Sequence, residues 1–228
     1  METRIISYSQ PSEEFFYDTK MESLTDLIAY CARVSNPSNQ NNRKTADKLI
    51  AYLLKHKHFS PLEQVSATIE ITTTRDIARQ VLRHRSFSFQ EFSQRYADPQ
   101  DMDHAFTIRD ARMQDTENRQ NSIALDLNIP ENRELARIWE EKQWEVIKAA
   151  KDAYNWAIAN GIAKEQARCV LPEGNTKSRM YMSGTLRSYI HYIELRSGNG
   201  TQKEHMELAI AISKVLTKIF PITEKYTN

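Results

Sequence analysis

Cysteine and glycine are scarce in this sequence, which has two cysteines and five glycines among 228 residues. Cys31 and Cys169 provide neither a disulfide framework nor the spacing of a metal site, as expected for a reducing compartment. The glycines form no G-x-G-x-x-G turn, which argues against a Rossmann dinucleotide site. No apolar run is long enough to span a bilayer, and the amino terminus lacks a signal-peptide core. We therefore expect a soluble, cytoplasmic protein.

An excess of one charge is also missing, because 31 Lys and Arg residues balance 30 Asp and Glu residues to a formal net charge of +1. Proteins that bind nucleic-acid polymers or anionic membranes usually carry a clear basic excess. The near balance argues against both kinds of partner. A chain of this length can bury a substantial core in one domain, and no linker, repeat or low-complexity tail divides it. We expect a single domain over residues 1–228.

Periodicity predicts a mostly helical chain with a small sheet. Alternating apolar and polar residues predict strands at 4–8 and 65–72, an extended segment around 87–90, and short strands near 106–111 and within 174–183. Helical spacing of apolar residues predicts helices at 24–33, 44–57, 130–160, 163–170 and 202–220, one that ends near His84, and one that begins after Thr185. Such a mixture indicates an α+β fold.

Helix-cap residues mark several of these boundaries. Ser23 and Thr185 are N-cap candidates, and Gly161 is a C-cap candidate. Residues 60–63 and 201–204 match the capping-box pattern, in which a Ser or Thr caps a helix that carries Glu three residues later. We therefore expect an α-helix to begin at each of these two segments.

Three tryptophans, Trp139, Trp144 and Trp156, lie on the long helix predicted at 130–160. A helix of this length is expected to provide a long surface against which other elements of the fold pack. Large aromatic side chains at helical spacing usually bury apolar area against a neighbouring surface. We therefore assign these tryptophans to the core or to a subunit interface, in preference to a cofactor-stacking role.

Residues 97–126 are mostly polar, which predicts a long loop that leaves the core. Long loops in compact domains are often functional or bridge subunits. Asp101, Asp103 and His104 carry metal-binding atom types, but no second cluster accompanies them. We interpret these three residues as a solvated turn and expect no metal.

Cationic side chains are concentrated in the middle of the chain. Arg75, Arg79 and Arg83 are spaced for one face of a helix, where like charges repel unless anions compensate them. Asp76 and Glu91 are the carboxylates nearest in sequence. The planar fork of arginine suits phosphate and carboxylate oxygens, which favours a bound anion. The alternative is an Arg-rich helix end stabilised by the helix dipole, with the neighbouring phenylalanines in the core.

The same region carries a specific motif. Arg83, His84 and Arg85 are followed after seven residues by Ser93, which has Glu91 two positions before it and an arginine two positions after it. This spacing resembles the signature of flavin-dependent thymidylate synthases. Further segments that are similar to this family occur in the same order along most of the chain, at residues 31–35, 58–63, 167–172 and 185–196.

The resemblance implies an α+β single domain, mostly helical with a small, mainly antiparallel sheet. It implies reductive methylation of dUMP to dTMP, with 5,10-methylenetetrahydrofolate as one-carbon donor and NADPH-reduced FAD as hydride source. No protein side chain accepts hydride reversibly, so a cofactor must supply that step. FAD is expected through the resemblance alone. Family members are homotetramers with active sites shared between subunits, and the same assembly is expected here.

The resemblance also implies a set of site residues. The positions that match dUMP contacts of the family are Gln80, Arg83, Glu91, Ser93, Gln94, Arg95, Arg168 and Arg196. The positions that match its FAD contacts are Ser60, Arg83, His84, Arg85, Glu91, Thr185, Arg187 and His191. His58 is expected near the folate or NADPH. Gln64 replaces the usual histidine, which weakens a proton-relay role there, and Gln90 replaces a frequent asparagine but keeps the amide.

Arg196 is the residue that we expect to be catalytic, because the resemblance places it against the pyrimidine. A fixed cation there would favour the ionised ring and make carbon 5 more nucleophilic. No histidine lies at a position in the sequence that indicates a general base for Ser93. We therefore expect the Ser93 hydroxyl to donate a hydrogen bond to the nucleotide. Cys31 is expected in the core. Cys169 is either a buried structural cysteine or, beside Arg168, a thiol of lowered pKa that could act as a nucleophile; the resemblance implies that no thiol takes part.

Two other functions fit parts of the pattern. A binding module for single-stranded nucleic acid would use the arginines and phenylalanines of residues 75–96, bind no flavin and lose affinity steeply with salt. A cofactor-free enzyme acting on a nucleotide phosphate would turn over without a reductant. The near-neutral charge argues against the first, and the lack of an evident metal or paired-carboxylate site argues against the second.

Overall fold

The computed structural model describes residues 1–101, 105–198 and 200–226, without the side chains of residues 101, 224 and 226. Its strands are β1 (Glu2–Tyr8), β2 (Ser66–Thr74), β3 (Ser88–Glu91), β4 (Arg112–Gln114), β5 (Ser122–Ala124) and β6 (Lys177–Thr185). Its α-helices are α1 (Glu13–Thr19), α2 (Leu24–Ala32), α3 (Ala46–Lys55), α4 (Arg75–Val81), α5 (Pro130–Ala159), α6 (Lys164–Ala167), α7 (Leu186–Arg196) and α8 (Lys203–Thr217).

Four strands form an antiparallel sheet in the order β1-β2-β6-β3, and β4 and β5 form a separate hairpin. The predicted α+β fold, mostly helical with a small antiparallel sheet, is confirmed. β2 and β6 pair along their whole length, from Ser66 opposite Thr185 to Thr74 opposite Lys177. β6 is thus a central strand, although the sequence indicates only a loop and a short strand there.

The main apolar core lies between this sheet and helices α2, α3, α7 and α8. Fully buried side chains from each layer meet in it, including Ile28, Ile50, Ile69, Met182 and Ile212. Burying one such side chain stabilises the fold by roughly 1.5–3 kcal/mol relative to leaving it exposed. The core therefore fixes where the loops between β2, β3 and α7 emerge.

Three of the predicted helix caps are confirmed. Ser23 Oγ accepts from Asp26 N at 3.1 Å, and the Asp26 carboxylate accepts from Ser23 N at 3.5 Å. Thr185 Oγ1 accepts from Ser188 N at 3.3 Å. Gly161, just beyond α5, has φ +77°, a left-handed conformation that glycine adopts without a steric penalty.

Both predicted capping boxes at the other two helix starts are wrong. Ser60–Gln64 forms a 3-10 helix without a side-chain cap, and at Val65 the chain already becomes extended toward β2. α8 begins at Lys203, and its N-cap residue Gln202 makes no cap hydrogen bond. Gln202 Nε2 instead donates to the Glu204 carboxylate at 2.9 Å. Both side chains also make tertiary contacts, Gln202 with Gln80 and Glu204 with Arg109 and Arg112.

Several short elements also differ from the prediction. α1 was not expected, because none of its residues is buried and it leaves no apolar pattern. The strand expected at 106–111 is absent from the described residues, where Phe106 forms one isolated bridge with Thr176. The hairpin β4–β5 lies later in the polar segment 97–126. The segment predicted as a helix over 163–170 divides into α6 and a 3-10 turn, Arg168–Val170.

The long helix α5 is confirmed, but its tryptophans do not lie in the core. Trp139, Trp144 and Trp156 are 45%, 48% and 63% exposed, while the helix buries Ile147 and Tyr154 on another face. Of the two assignments made for the tryptophans, the core is therefore wrong for this chain. No helix within the described ranges combines the length and apolarity needed to cross a membrane.

Candidate active site

The turn after α4 presents the Arg-His-Arg motif. The chain leaves α4 through a hydrogen bond from His84 N to the Val81 carbonyl at 3.0 Å, and Phe87 N then donates to the His84 carbonyl at 3.3 Å. Phe87 is buried and anchors the turn, His84 is half-buried, and Arg83 and Arg85 are exposed. The motif therefore points two cations outward and one imidazole inward.

His84 meets the predicted catalytic arginine. Arg196, in the last turn of α7, donates from Nε to Nε2 of His84 at 3.0 Å. That nitrogen carries no proton, so the neutral ring holds its proton on Nδ1. Burial, together with the positive charges of Arg196, His191 and Arg83, lowers the pKa of His84 to about 4. At neutral pH His84 is thus an uncharged acceptor that orients the Arg196 guanidinium.

Glu91, at the end of β3, compensates the arginines of α4. Its Oε1 accepts from Ser178 Oγ at 2.8 Å and lies 3.6 Å from Arg75 Nη1. Its Oε2 lies 3.3 Å from Arg79 Nη1. Glu173 adds a second carboxylate, 3.8 Å from Arg75 and 3.7 Å from Arg79. Glu91 therefore ties α4 to the edge of the sheet.

The prediction of one arginine face over three turns of helix is wrong for Arg83, because α4 ends at Val81. Arg83 belongs to the turn, and only Arg75 and Arg79 share the ion pairs with Glu91. Glu173 was missed by sequence analysis, since it lies far along the chain and reaches α4 only in the fold. The repulsion between these two arginines is compensated within the described chain.

The segment that follows β3 holds Ser93, Gln94 and Arg95. Gln94 is 3% exposed, and its Nε2 has no hydrogen-bond partner among the described residues. A buried donor left unpaired costs roughly 1–3 kcal/mol, so an acceptor from a ligand would be stabilising there. Ser93 Oγ accepts from Arg95 N at 3.4 Å, and the exposed Arg95 side chain lies 3.3 Å from Glu165.

Gln80 and Arg168 are held by protein contacts. Gln80 Nε2 donates to Gln202 Oε1 at 2.7 Å, and Gln80 Oε1 lies 3.1 Å from Nδ1 of His205. Arg168 Nε donates to the Glu165 carbonyl at 3.3 Å. Among the residues predicted to hold dUMP, Gln80 contacts His205 of α8, and Arg196 lies on α7. Arg95 and Arg168 both contact Glu165.

A cleft of about 410 Å³ lies between the 3-10 segment Ser60–Gln64 and the exposed face of α7. Its lining residues are Phe59, Glu63, Ser86, Arg187, Ser188, Ile190, His191 and Glu194. Arg187 forms an ion pair with Glu63 across its mouth. Hydroxyls, a guanidinium and an imidazole beside an apolar wall suit a cofactor that joins a phosphate to an aromatic ring, so the donor set fits the expected flavin.

Seven of the nine residues predicted for cofactors lie outside the lining of this cleft, namely His58, Ser60, Arg83, His84, Arg85, Glu91 and Thr185. The Thr185 hydroxyl caps α7 and lies 3.3 Å from Ser188 Oγ. Ser60 is exposed at the start of its 3-10 segment. His58 is exposed, with its ring 6.2 Å from that of Tyr52. The structure therefore brings Arg187 and His191 to the cleft, but neither Ser60, Thr185 nor His58.

The two cysteines differ in environment. The prediction that Cys31 lies in the core is wrong, because the side chain is only half-buried; this partial burial raises its pKa. Cys169 is exposed in the 3-10 turn that follows α6. The prediction that Cys169 is a buried structural residue is wrong, because this turn faces away from the small cluster formed by α5 and α6.

No group of three metal-binding side chains occurs in the part of the chain that the structure describes. The candidates at 103 and 104, and the side chain of residue 101, lie outside the described residues. The site is therefore assembled from arginine, imidazole, amide and hydroxyl groups.

Sequence analysis missed a group of residues on the inner side of the site, of which His205 and Tyr192 are the most buried, both with 0% exposure. A usable signal existed, because His205 precedes Leu208, Ala209 and Ile212 at helical spacing and so falls on the buried face of α8. Its partner Tyr192, and the residues Gln202 and Glu204 that lie beyond Gln80 in the same series of hydrogen bonds, carry no motif that assigns them to the site.

The fold and this geometry define an α+β protein whose candidate site residues include fixed cations, a neutral histidine and a buried amide donor, with an open cleft beside α7. Such a set of donors is suited to an anionic, nucleotide-like ligand. The comparisons with known proteins agree with that class.

Residues 17–222 match the model of the family described as thymidylate synthase complementing protein. The chain is 46% identical to a probable flavin-dependent thymidylate synthase of Paramecium bursaria Chlorella virus 1, over 99% of this chain and 98% of the relative. It is 45% identical to a flavin-dependent thymidylate synthase of Synechocystis, over 97% and 96% of the two chains. The chain therefore belongs to the family of flavin-dependent thymidylate synthases.

A solved structure shows the same fold. The UMP/dUMP methylase PolB of Streptomyces cacaoi, bound with 5-Br dUMP, matches with a TM-score of 0.77 at 23% identity, over 99% of this chain and 93% of that chain. Identity this low is evidence for the fold, and the family assignment depends on the closer relatives.

Proposed function

We propose that this enzyme converts dUMP, 5,10-methylenetetrahydrofolate, NADPH and a proton into dTMP, tetrahydrofolate and NADP⁺, with FAD as its cofactor. Family membership supports the reaction, and the names of the two relatives support the flavin. The observation in this chain that carries the proposal is the hydrogen bond from Arg196 to the neutral His84. This hydrogen bond supports the proposal because it fixes the direction of a permanent cation, which the proposed complex places beside the pyrimidine.

Arg196 is the proposed catalytic residue. Its Nε is committed to His84 at 3.0 Å, which leaves the two NH₂ groups of the guanidinium to face the pyrimidine. A cation held there favours the ionised ring and raises the electron density at carbon 5. His84 stays neutral above its pKa of about 4. It therefore orients Arg196 by accepting a hydrogen bond and adds no second positive charge beside the guanidinium.

The nucleotide is held by the residues that the family motif supplies. Gln94 offers a buried amide donor, and its unpaired Nε2 favours a ligand acceptor at that position. Arg83, at the start of the same motif, is exposed, and its guanidinium suits the phosphate. The further residues proposed for dUMP are Gln80, Glu91, Ser93, Arg95 and Arg168.

The cleft beside α7 is the proposed position of the flavin, which when bound supplies the hydride chemistry that no side chain offers. Arg187 and His191 line the cleft, and Arg85 adjoins its lining residue Ser86. These side chains bind and orient an anionic cofactor. The further residues proposed for FAD are Ser60, Arg83, His84, Glu91 and Thr185, and His58 is proposed to lie near the folate or NADPH.

A protein thiol takes no part in the proposed reaction. Burial raises the pKa of Cys31, which disfavours the thiolate. Cys169 is exposed and has no histidine among the partners found in the described chain. Neither cysteine therefore has the environment of an activated nucleophile.

We further propose a single domain over residues 1–228 that works as a homotetramer with shared active sites. The exposed tryptophans of α5 support an interface, because large apolar side chains at 45% to 63% exposure are costly in a free monomer. A second subunit would also complete the open side of the cleft. Two unpaired cysteines are consistent with the reducing cytoplasm.

The test begins with the visible absorption spectrum of the protein after FAD is added and free flavin is removed. A retained flavin band that bleaches anaerobically with NADPH supports the proposal. Arg196→Ala should then abolish dTMP formation and keep the band, while Arg196→Lys, which restores charge without the guanidinium fork, should recover part of the activity. Full activity in Arg196→Ala would remove Arg196 from its assigned role.

A further inference from the structure

A buried histidine that the proposed reaction does not use links α8 to the site. His205 is 0% exposed, its Nδ1 lies 3.1 Å from Gln80 Oε1, and its Nε2 lies 3.0 Å from the Tyr192 hydroxyl. Tyr192 in turn packs edge-on against His84, with ring centroids 4.9 Å apart. His205 therefore contacts the proposed dUMP residue Gln80 directly, and it reaches His84, the acceptor of Arg196, through Tyr192.

The direction of the hydrogen bonds is set at the far end of this chain of contacts. A carboxylate only accepts, so Gln202 must turn its NH₂ group toward Glu204, which it meets at 2.9 Å. Gln202 Oε1 then accepts from Gln80 Nε2 at 2.7 Å. The reverse orientation would place the Gln202 oxygen against the carboxylate. Gln80 is consequently left with its oxygen toward His205.

The Glu204 carboxylate is the anchor of this series, because two arginines pair with it and fix its position. Arg109 Nη1 and Arg112 Nη2 lie 3.3 Å and 3.4 Å from its two oxygens, and Arg109 also pairs with Asp76 at 2.7 Å. Burial acts to raise the pKa of Glu204, but hydrogen bonds from its own backbone and from Gln202, with the charges of both arginines, lower it on balance. The anchor therefore stays ionised at neutral pH.

The state of His205 follows from its neighbours. Burial, together with the charges of Arg196 and His84, lowers its pKa to about 3, so the ring is neutral and carries one proton. Gln80 presents an oxygen, which requires the proton on Nδ1. Nε2 is then the acceptor for the Tyr192 hydroxyl. Along the series from Glu204 to Tyr192, each hydrogen-bond donor therefore meets an acceptor.

We propose that His205 is a positioning residue, which with Gln202 and the Glu204 anchor locks the side-chain amide of Gln80 in one orientation toward dUMP. One hydrogen of the Gln80 NH₂ group goes to Gln202, and the second is presented to an acceptor atom of the nucleotide. Without the hydrogen bond from His205, the Gln80 oxygen loses its donor and the amide can turn its oxygen toward the nucleotide. This inference rests on the proposed binding of dUMP at Gln80.

The test measures the dissociation constant of dUMP by calorimetry in the FAD-loaded protein, together with KM and kcat. His205→Leu keeps the volume but removes both hydrogen bonds, and should raise the dissociation constant and KM about fivefold to tenfold, the order of one lost hydrogen bond. His205→Asn places an amide N–H near the position of Nδ1–H and should restore binding to within about twofold. The value of kcat should change by less than about twofold, because His205 touches no reacting atom.

The matched control is Ile212→Leu, a buried change on the same face of α8 without a polar atom, which should leave dUMP binding unchanged. The decisive comparison is His205→Leu in a Gln80→Ala background, where the effect on binding should vanish because the two residues act as one unit. An unchanged dissociation constant in His205→Leu, or an equal loss in both backgrounds, would overturn the inference. If His205→Leu does not fold, Gln202→Leu makes the same test at a partly exposed position.

A second readout is independent of binding. Nitrogen-15 NMR of the histidine rings should show His205 with its proton on Nδ1 at pH 7, and a proton on Nε2 would contradict the proposed direction of the chain. Failure of the unaltered enzyme to bind dUMP would refute the proposed function itself. Normal dUMP binding with no response to His205→Leu would refute only the positioning role.

Discussion

Replacing Gly184 by alanine should destabilise the protein through one close contact. Gly184 lies on β6 opposite Ala67 of β2, outside the left-handed region, so its backbone accepts alanine. A Cβ at this position would lie 2.4 Å from Cδ1 and 2.8 Å from Cε1 of Phe87. Phe87 is buried and packs edge-on against Tyr189, with centroids 4.8 Å apart, so the ring has little room to move away.

The magnitude follows from two opposing terms. Overpacking a close-fitted core costs roughly 1–3 kcal/mol, while replacing glycine by alanine reduces the entropy of the unfolded chain and offsets about 0.4–1 kcal/mol. The net loss should be about 1–2 kcal/mol. For a chain of this size each kcal/mol lowers Tm by about 2–4 °C, so we expect a fall of roughly 2–8 °C. Because Phe87 anchors the turn with Arg83 and His84, FAD affinity should fall as well.

The assay is thermal unfolding followed by circular dichroism, without added ligands. Gly174→Ala is the matched control, since a Cβ there meets nothing within 4 Å, and it should leave Tm unchanged or raise it slightly. Phe87→Leu removes the clashing ring atoms, so Gly184→Ala should cost less in that background. A wild-type Tm in Gly184→Ala, or the same cost with and without Phe87→Leu, would refute the reasoning.

Glu91→Gln should lower the free energy of unfolding in urea by about 2 kcal/mol, because it leaves the buried Arg75 with only the exposed carboxylate of Glu173. Glu134→Gln, in an exposed pair, should leave the free energy of unfolding close to that of the wild type, and equal losses would contradict the assignment. Unfolded His205 protonates near pKa 6.5 and folded His205 near about 3, so protons favour the unfolded state as pH falls from 7 to 5. The wild type should therefore lose about 2 kcal/mol more than His205→Leu over that range, and equal slopes in urea titrations at the two pH values would disprove this. Trp139→Glu should shift sedimentation to smaller species while Lys148→Glu, on the same helix, should not, and an unchanged assembly in Trp139→Glu would exclude that surface as the interface.

Local sequence signals predicted the elements whose boundaries depend on neighbouring residues. Ser23 and Gly161 mark helix ends because their side chain or backbone freedom satisfies groups only a few positions away. The apolar spacing of α5 and the alternation of β2 predicted those elements for the same reason. The spacing from Arg83 to Ser93 likewise lies within one short segment, and it was enough to indicate the family.

Other signals failed where tertiary contacts outweighed the local pattern. Residues 201–204 have the pattern of a capping box, but α8 begins one residue later than an N-cap at Thr201 requires, and the Glu204 carboxylate pairs with Arg109 and Arg112. β6 lacks strong strand propensity and is central because β2 pairs with its full length. In both cases the stabilising partner lies in another part of the chain.

The amino-acid sequence by itself determined the fold class, the main helices and the family motif, since each is encoded over a few adjacent residues. Only the tertiary structure decided which side chains meet in the site. Arg196 and His84 are 112 positions apart, and His205 and Gln80 are 125 apart. Their contacts, and the lowered pKa values of both histidines, arise because the core brings α4, α7 and α8 together and removes water from between them.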